Sequence, residues 1–218
     1  MCIRDSNYAE AQNNLGLIYM KQKNSKEALE AFKKALSLKP KYAEAYNNMG
    51  SVLRGSGKLN EAIEAFNKSI SLKPNYAHAY NNLGICFQFQ DKLDEAIEAY
   101  KKSILLKPDY AYAFNNLAGS YKDIGNFDEA LNTYEKALLI NPDYPEAYYN
   151  SSFIYNLKGD LRNGLELYEW RLKKKNTKAR LPRNHLIWDG IESIKGKKFF
   201  VYEEQGLGDI IQFCRYLL

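Results

Sequence analysis

The sequence predicts an all-α solenoid of five consecutive helix pairs, followed by the opening strand, turn and helix of an α/β segment. Three observations carry that prediction. Tyrosines recur at positions 8, 42, 76, 110 and 144, a spacing of 34 residues without slippage. The stretch Tyr42-Ala-Glu-Ala-Tyr-Asn-Asn-Met-Gly50 returns as Tyr76-Ala-His-Ala-Tyr-Asn-Asn-Leu-Gly84 and Tyr110-Ala-Tyr-Ala-Phe-Asn-Asn-Leu-Ala118. An earlier copy starts at Tyr8 and a decayed one at Tyr144. Each copy also holds two apolar stretches of helical period separated by a break. A constant period of this length means stacked copies of one supersecondary unit, whose core is a seam between neighbours rather than a central ball.

The repeats run over residues 9–42, 43–76, 77–110, 111–144 and 145–178. In the second copy, Ala43 to about Gly55 places Tyr46, Met49, Gly50 and Val52/Leu53 on one side of a helix. Gly57-Lys58 breaks that helix. A second begins near Asn60, where Asn60-Glu61 supplies a cap and an acidic first turn. It carries Ile63, Phe66 and Ile70 inward until Pro74, which cannot continue a helix. Before the first copy, residues 1–6 have no helical period and read as foreign to the array. No polar capping helix precedes it, so further repeats are expected upstream. The fifth copy departs most, with Ser151-Ser152 for Leu-Gly and Trp170-Arg171 for Lys-Ala. Trp170 is therefore expected to face something other than another repeat.

After Arg180 the period ends. Residues 179–196 read as a linker, with Leu181-Pro182 stopping the helix and Trp188-Asp189-Gly190 forming a turn. Lys197-Lys198-Phe199-Phe200-Val201-Tyr202 has the pattern of a buried strand. Glu203-Glu204-Gln205-Gly206-Leu207-Gly208-Asp209 then forms a glycine-bearing loop, and Ile210 to Leu218 starts a helix.

Composition narrows the setting. Hydrophobic residues are 45% and charged residues 26% of the 218-residue chain, ordinary for a globular protein. No apolar run approaches the ~20 residues that span a bilayer, and Met1 to Ser6 lacks the apolar region of a secretory signal. Cys2, Cys86 and Cys214 are odd in number and lack metal-ligand spacing, so a reduced, cytoplasmic compartment and no metal are expected. The net charge of +5 is uneven. Arg171, Lys173, Lys174, Lys175, Lys178, Arg180 and Arg183 cluster without an acid between them. With no aromatic residues to stack bases, the cluster reads as a basic helix end running into a solvated linker, and nucleic acid is not an expected partner.

The repeat residues match the tetratricopeptide signature of an aromatic, Leu-Gly, a small residue, an aromatic and a closing proline. The first aromatic is Tyr46, Tyr80, Phe114 and Tyr148, with Gln12 departing in the first copy. The Leu-Gly position reads Leu15-Gly16, Met49-Gly50, Leu83-Gly84, Leu117-Ala118 and Ser151-Ser152. The small residue of the second helix is Ala28, Ala62, Ala96, Ala130 and Gly164, followed by Phe32, Phe66, Tyr100, Tyr134 and Tyr168. The prolines are Pro40, Pro74, Pro108 and Pro142. The chain thus resembles tetratricopeptide repeat proteins, which implies a right-handed superhelix with first helices lining an inner groove.

On that groove the sequence repeats asparagine pairs: Asn13-Asn14, Asn47-Asn48, Asn81-Asn82 and Asn115-Asn116, with Asn150 alone after Tyr149. The wheel sets Asn47, Asn48 and Ser51 opposite Tyr46, Met49, Gly50 and Leu53. A carboxamide both donates and accepts, so it can pair with a peptide unit of any sequence, and an extended peptide or protein segment is the expected partner. The other reading is that the asparagines bond neighbouring helices and hold the array together. The two roles are compatible. No lysine or arginine occupies these positions, unlike the version of the fold that clamps a C-terminal carboxylate.

Gly206-Leu207-Gly208-Asp209 is the second candidate, a turn whose glycines and helix N-terminus suit a phosphate. Ile211 replaces the third glycine of a dinucleotide fingerprint. The longer string from Trp188-Asp189-Gly190 through Glu204 to Tyr216 resembles the junction where bacterial tetratricopeptide arrays enter a heptosyltransferase-like domain with two Rossmann-like halves (GT-B). The repeats themselves resemble the array of O-linked N-acetylglucosamine transferases. These resemblances imply a recruiting arm of a glycosyltransferase, with Gly206, Gly208 and Asp209 near a sugar-nucleotide cleft and no cofactor in this chain. The rival is a scaffold with no enzymatic domain. His78 and His185 read as ordinary surface histidines.

Overall fold

The computed structural model describes residues 3–173. The chain divides into two units, residues 1–170 and 171–218, and the paired helices described below lie in the first. The expected strand, turn and helix over 197–218, with Gly206, Gly208 and Asp209, lie outside the described residues, as does His185.

Ten α-helices follow one another: α1 (Ile3–Lys21), α2 (Ser25–Leu38), α3 (Ala43–Gly55), α4 (Leu59–Leu72), α5 (Ala77–Phe89), α6 (Leu93–Leu106), α7 (Ala111–Asp123), α8 (Phe127–Ile140), α9 (Pro145–Leu157) and α10 (Leu161–Tyr168). Helix α1 begins at Ile3, so the leader that lacked a helical pattern is largely helical. In the fifth copy the second helix ends at Tyr168 and tightens into a 3-10 turn, Glu169–Lys173.

The turn between paired helices is a backbone device. Gly57 sits at φ +76°, a left-handed conformation that glycine adopts without Cβ strain. The Lys58 N–H then returns to the Leu53 carbonyl at 3.0 Å. That bond sets the start of α4 at Leu59, with Lys58 at the N-cap and no side-chain cap. Asn60 does not cap; its Oδ1 accepts from Gln90 Nε2 of the next repeat at 2.8 Å. A side-chain cap appears where the residue before the helix is Asn126 or Asp160.

Packing within a pair rests on a small residue against a ring. Phe32, Phe66 and Tyr100 are fully buried. A Cβ on Gly50 would stand 2.8 Å from the Phe66 ring, and one on Gly84 2.6 Å from the Tyr100 ring. In the first three pairs the helices therefore approach so closely that a Cβ would press on the ring, while Ala118 and Ser152 hold that position in the fourth and fifth. Ala28, Ala62, Ala96 and Ala130 are fully buried as well. Ala96→Leu should overpack this seam and cost about 1–3 kcal/mol, read as a lower midpoint in a circular dichroism melt; an unchanged midpoint would refute the packing. Tyr46 and Met49 are half-buried rather than core, while Ala43, Ala45 and Val52 are buried.

Stacking between pairs is asymmetric. Each first helix meets the next first helix, as α1 with α3 and α3 with α5, whereas among the described residues no second helix meets the next second helix. Helices that touch lie inside the curve of a stack and helices that splay lie outside, so α1, α3, α5, α7 and α9 form the inner wall. The splay leaves two outer clefts. One runs between α2 and α4 over Tyr46 and Met49, and the other between α6 and α8 over Phe114 and Leu117. Lysine and glutamate line their rims, as with Lys33, Glu64 and Lys68.

Candidate peptide-binding groove

The asparagines separate into two structural classes. Asn13, Asn47 and Asn81 are buried, at 5%, 6% and 4% exposure, which corrects the placement of Asn47 opposite the core. Their neighbours Asn48, Asn82, Asn116 and Asn150 are half-buried, Asn115 is half-buried too, and Asn14 is exposed. The physical reason is a bond between successive first helices. Asn48 Nδ2 donates to Asn13 Oδ1, Asn82 to Asn47 and Asn116 to Asn81, each at 3.0 Å. Asn150 continues the series to Asn115 at 3.4 Å. Each carboxamide of the inner column thus spends one N–H on the repeat before it. An amide has two N–H donors and a carbonyl oxygen with two lone pairs, so bonding capacity remains on each rung.

The asparagine column is flanked by two edges. On one, Lys39 pairs with Glu10 at 3.5 Å and Lys73 with Glu44 at 2.7 Å. Each lysine also lies over the tyrosine that closes its repeat, Lys39 over Tyr42 at 4.6 Å and Lys73 over Tyr76 at 4.8 Å. The hydrogen bond from Lys73 holds the Glu44 carboxyl below its usual range. In the third and fourth repeats the glutamate is replaced by His78 and Tyr112. A continuous row of rings results, with His78 4.7 Å from Tyr110 and Tyr112 5.2 Å from Tyr144. His78 is therefore half-buried between Tyr76 and Tyr110, not an ordinary surface histidine.

Burial, and then the Lys107 charge, hold the His78 imidazole below its ordinary value of 6.5. The unfolded chain therefore takes up this proton more readily. The stability due to neutral His78 is complete above that value and is lost as pH falls below it. Melting points taken between pH 7.5 and pH 5 should accordingly drop less for His78→Gln than for the parent chain; equal drops would contradict this.

On the other edge a polar relay links the third and fourth repeats. Tyr100 donates its hydroxyl to Gln88 Oε1 at 3.0 Å, and Gln88 Nε2 donates to Asp123 Oδ2 at 2.9 Å. Arg54 holds the Gln88 position one repeat earlier, and its Nε is buried without a hydrogen bond. At the end of the array Tyr149, in place of an asparagine, packs with Phe153 and Tyr168. Trp170 stacks on Tyr148 of its own repeat, with ring centroids 4.1 Å apart.

Burial pushes the Cys86 thiol up to about 11, so it stays protonated and unreactive. Among the described residues no group of three or more His, Cys, Asp or Glu could hold a metal ion, and no helix is long and apolar enough to cross a membrane. The surface offers a polar, largely uncharged column between an aromatic edge and a mixed polar edge. Both edges escaped the sequence reading. The change from Glu44 to His78 to Tyr112 at one repeat position, under a constant lysine, was the available signal for the first.

Comparison with known proteins places the fold. MamA superposes with a TM-score of 0.63 at 29% identity, covering 75% of this chain and 96% of its own. PilF of Pseudomonas aeruginosa gives a TM-score of 0.73 at 21% identity, covering 79% of this chain and 80% of that one. YrrB, described as a tetratricopeptide protein with an unusual peptide-binding site, gives 0.57 at 21% identity over 74% of this chain and 84% of its own. At 21% identity the last two speak for the fold alone. No curated protein matches the sequence. The tetratricopeptide repeat model matches residues 7–75, 42–108 and 77–143, most of the chain. On that coverage, and on ten helices in consecutive pairs, the chain belongs to the tetratricopeptide repeat family.

Proposed function

We propose that the array binds an extended peptide or protein segment along its inner wall, across Asn48, Asn82, Asn116 and Asn150. One observation carries this reading. Four carboxamides stand in a column on successive first helices, each half-buried and each giving one N–H to an asparagine of the repeat before it. An extended chain presents peptide groups at regular intervals, and each net bond to it is worth about 0.5–1.5 kcal/mol. YrrB, with the same fold, is described as having a peptide-binding site. Selecting random peptides displayed on phage against the whole chain should return binders whose affinity falls when Ser51, Gly119 or Phe153 on the inner wall is replaced by lysine. Failure to return any binder, or binders sensitive only to the outer clefts, would overturn the reading.

The finer proposal is that this array recruits protein partners for a cytoplasmic bacterial glycosyltransferase. Its support is the resemblance of the string from Trp188 to Tyr216 to the entry of a heptosyltransferase-like domain. In that reading Gly206, Gly208 and Asp209 border the cleft for a nucleotide sugar. Reading the open reading frame on both sides tests it. A second Rossmann-like half downstream supports the enzyme, and an immediate stop after Leu218 favours the pure scaffold. The 218-residue chain alone should turn over no sugar nucleotide.

A further inference from the structure

The repeats provide their own controls, and one site breaks their pattern in a way that specifies a ligand. In the first and second repeats a lysine at the end of the second helix has two partners: a glutamate on the first helix of its repeat and the tyrosine that closes that repeat. Lys73 shows both, 2.7 Å from Glu44 and 4.8 Å over the Tyr76 ring. Lys107 keeps only the second, lying 5.1 Å over the Tyr110 ring. His78 stands where the glutamate would be, turned edge-on against Tyr110. Among the described residues no carboxylate comes within ion-pair distance of Lys107. In the fourth repeat both charges are gone, since Tyr112 and Asn141 occupy the two positions. The third repeat alone among the first four keeps the cation and discards its acid.

The surroundings suit a ligand side chain. Lys107 and His78 are half-buried, and Tyr112, beside them on the same edge, is 59% exposed. In the first two repeats the equivalent surface is a closed Glu–Lys pair with no unmet charge. Here it is a cation set among Tyr110, His78 and Tyr112, next to the Asn82 rung.

We propose that Lys107 anchors an acidic side chain of the bound segment, whose carboxylate takes in the third repeat the place that Glu10 and Glu44 hold in the first and second. The occupant is a peptide carrying an aspartate or glutamate in register with Lys107. Its main chain lies on the asparagine column and its neighbouring side chain lies on the rings of His78 and Tyr112. This inference rests on the groove reading above and adds the chemical class of ligand.

The test uses peptides selected by phage display against the full chain, each resynthesised with its acidic residue as the matching amide. Acidic residues should be enriched at one position, and Glu→Gln in the peptide should weaken binding about fivefold, the scale of a partly exposed ion pair. His78→Glu rebuilds the internal pair of the first two repeats, so it folds with an unchanged or raised melting point. It should erase the difference between acid and amide peptides. Lys107→Met should erase it as well. If acid and amide bind the parent chain equally, or if the difference survives in both variants, the proposal fails while the groove reading stands. If no peptide binds at all, both fail. A dimer of the chain that is lost on Lys107→Met would assign the slot to a second copy and overturn the proposal.

Discussion

Phe66→Ala should destabilise the array by about 3–5 kcal/mol, the cost of removing a fully buried aromatic ring whose pocket cannot collapse. The ring is 0% exposed and packs with Leu53, Ala62, Leu83 and Cys86, which span two repeats. It also fills the space that Gly50 leaves open. In a solenoid each repeat is held by its neighbours, so loss at the second repeat uncouples the first from the rest. A single thermal transition should therefore split, with an early phase confined to α1–α4. Phe66→Tyr should cost under about 1 kcal/mol, as expected for a near-isosteric change, because Tyr100 and Tyr134 already fill the same position. Equal loss from both substitutions would show that the ring pocket is not what couples the pairs.

The second large effect concerns the asparagine column. Replacing Asn48, Asn82 and Asn116 together by alanine removes the donors to Asn13, Asn47 and Asn81, which are buried. An unpaired buried polar group costs about 1–3 kcal/mol, so the triple variant should lose about 3 kcal/mol or more. The two roles separate by temperature: well below its midpoint the triple variant is folded, and its peptide affinity should still be reduced. Undiminished affinity there would leave the column a purely structural feature.

The division between what was legible and what was not follows from physical scale. A period of 34 residues, Gly50 opposite Phe66, and Pro74 after α4 are local choices that agree with the global fold, so the helix pairs could be read directly. The burial of Asn47 could not. A helical wheel treats each helix alone, and Asn47 is buried by Asn82 of the next repeat. The cap at Asn60 failed for a related reason, since Gly57 and the Leu53 carbonyl had already fixed the turn. The stacking of Trp170 on Tyr148 within its own repeat was likewise not visible in the period. Contacts set by stacking, rather than by the period itself, were the part that required the structure.

The most direct measurement of the central claim is the set of asparagine side-chain amide resonances in a nitrogen-proton correlation spectrum, followed as a selected peptide is added. The Nδ2 signals of Asn48, Asn82 and Asn116 should shift together and saturate with the binding curve, while those of Asn67 and Asn132, exposed on the outer helices α4 and α8, stay in place. Shifts at Asn67 and Asn132 with a silent inner column would contradict the account.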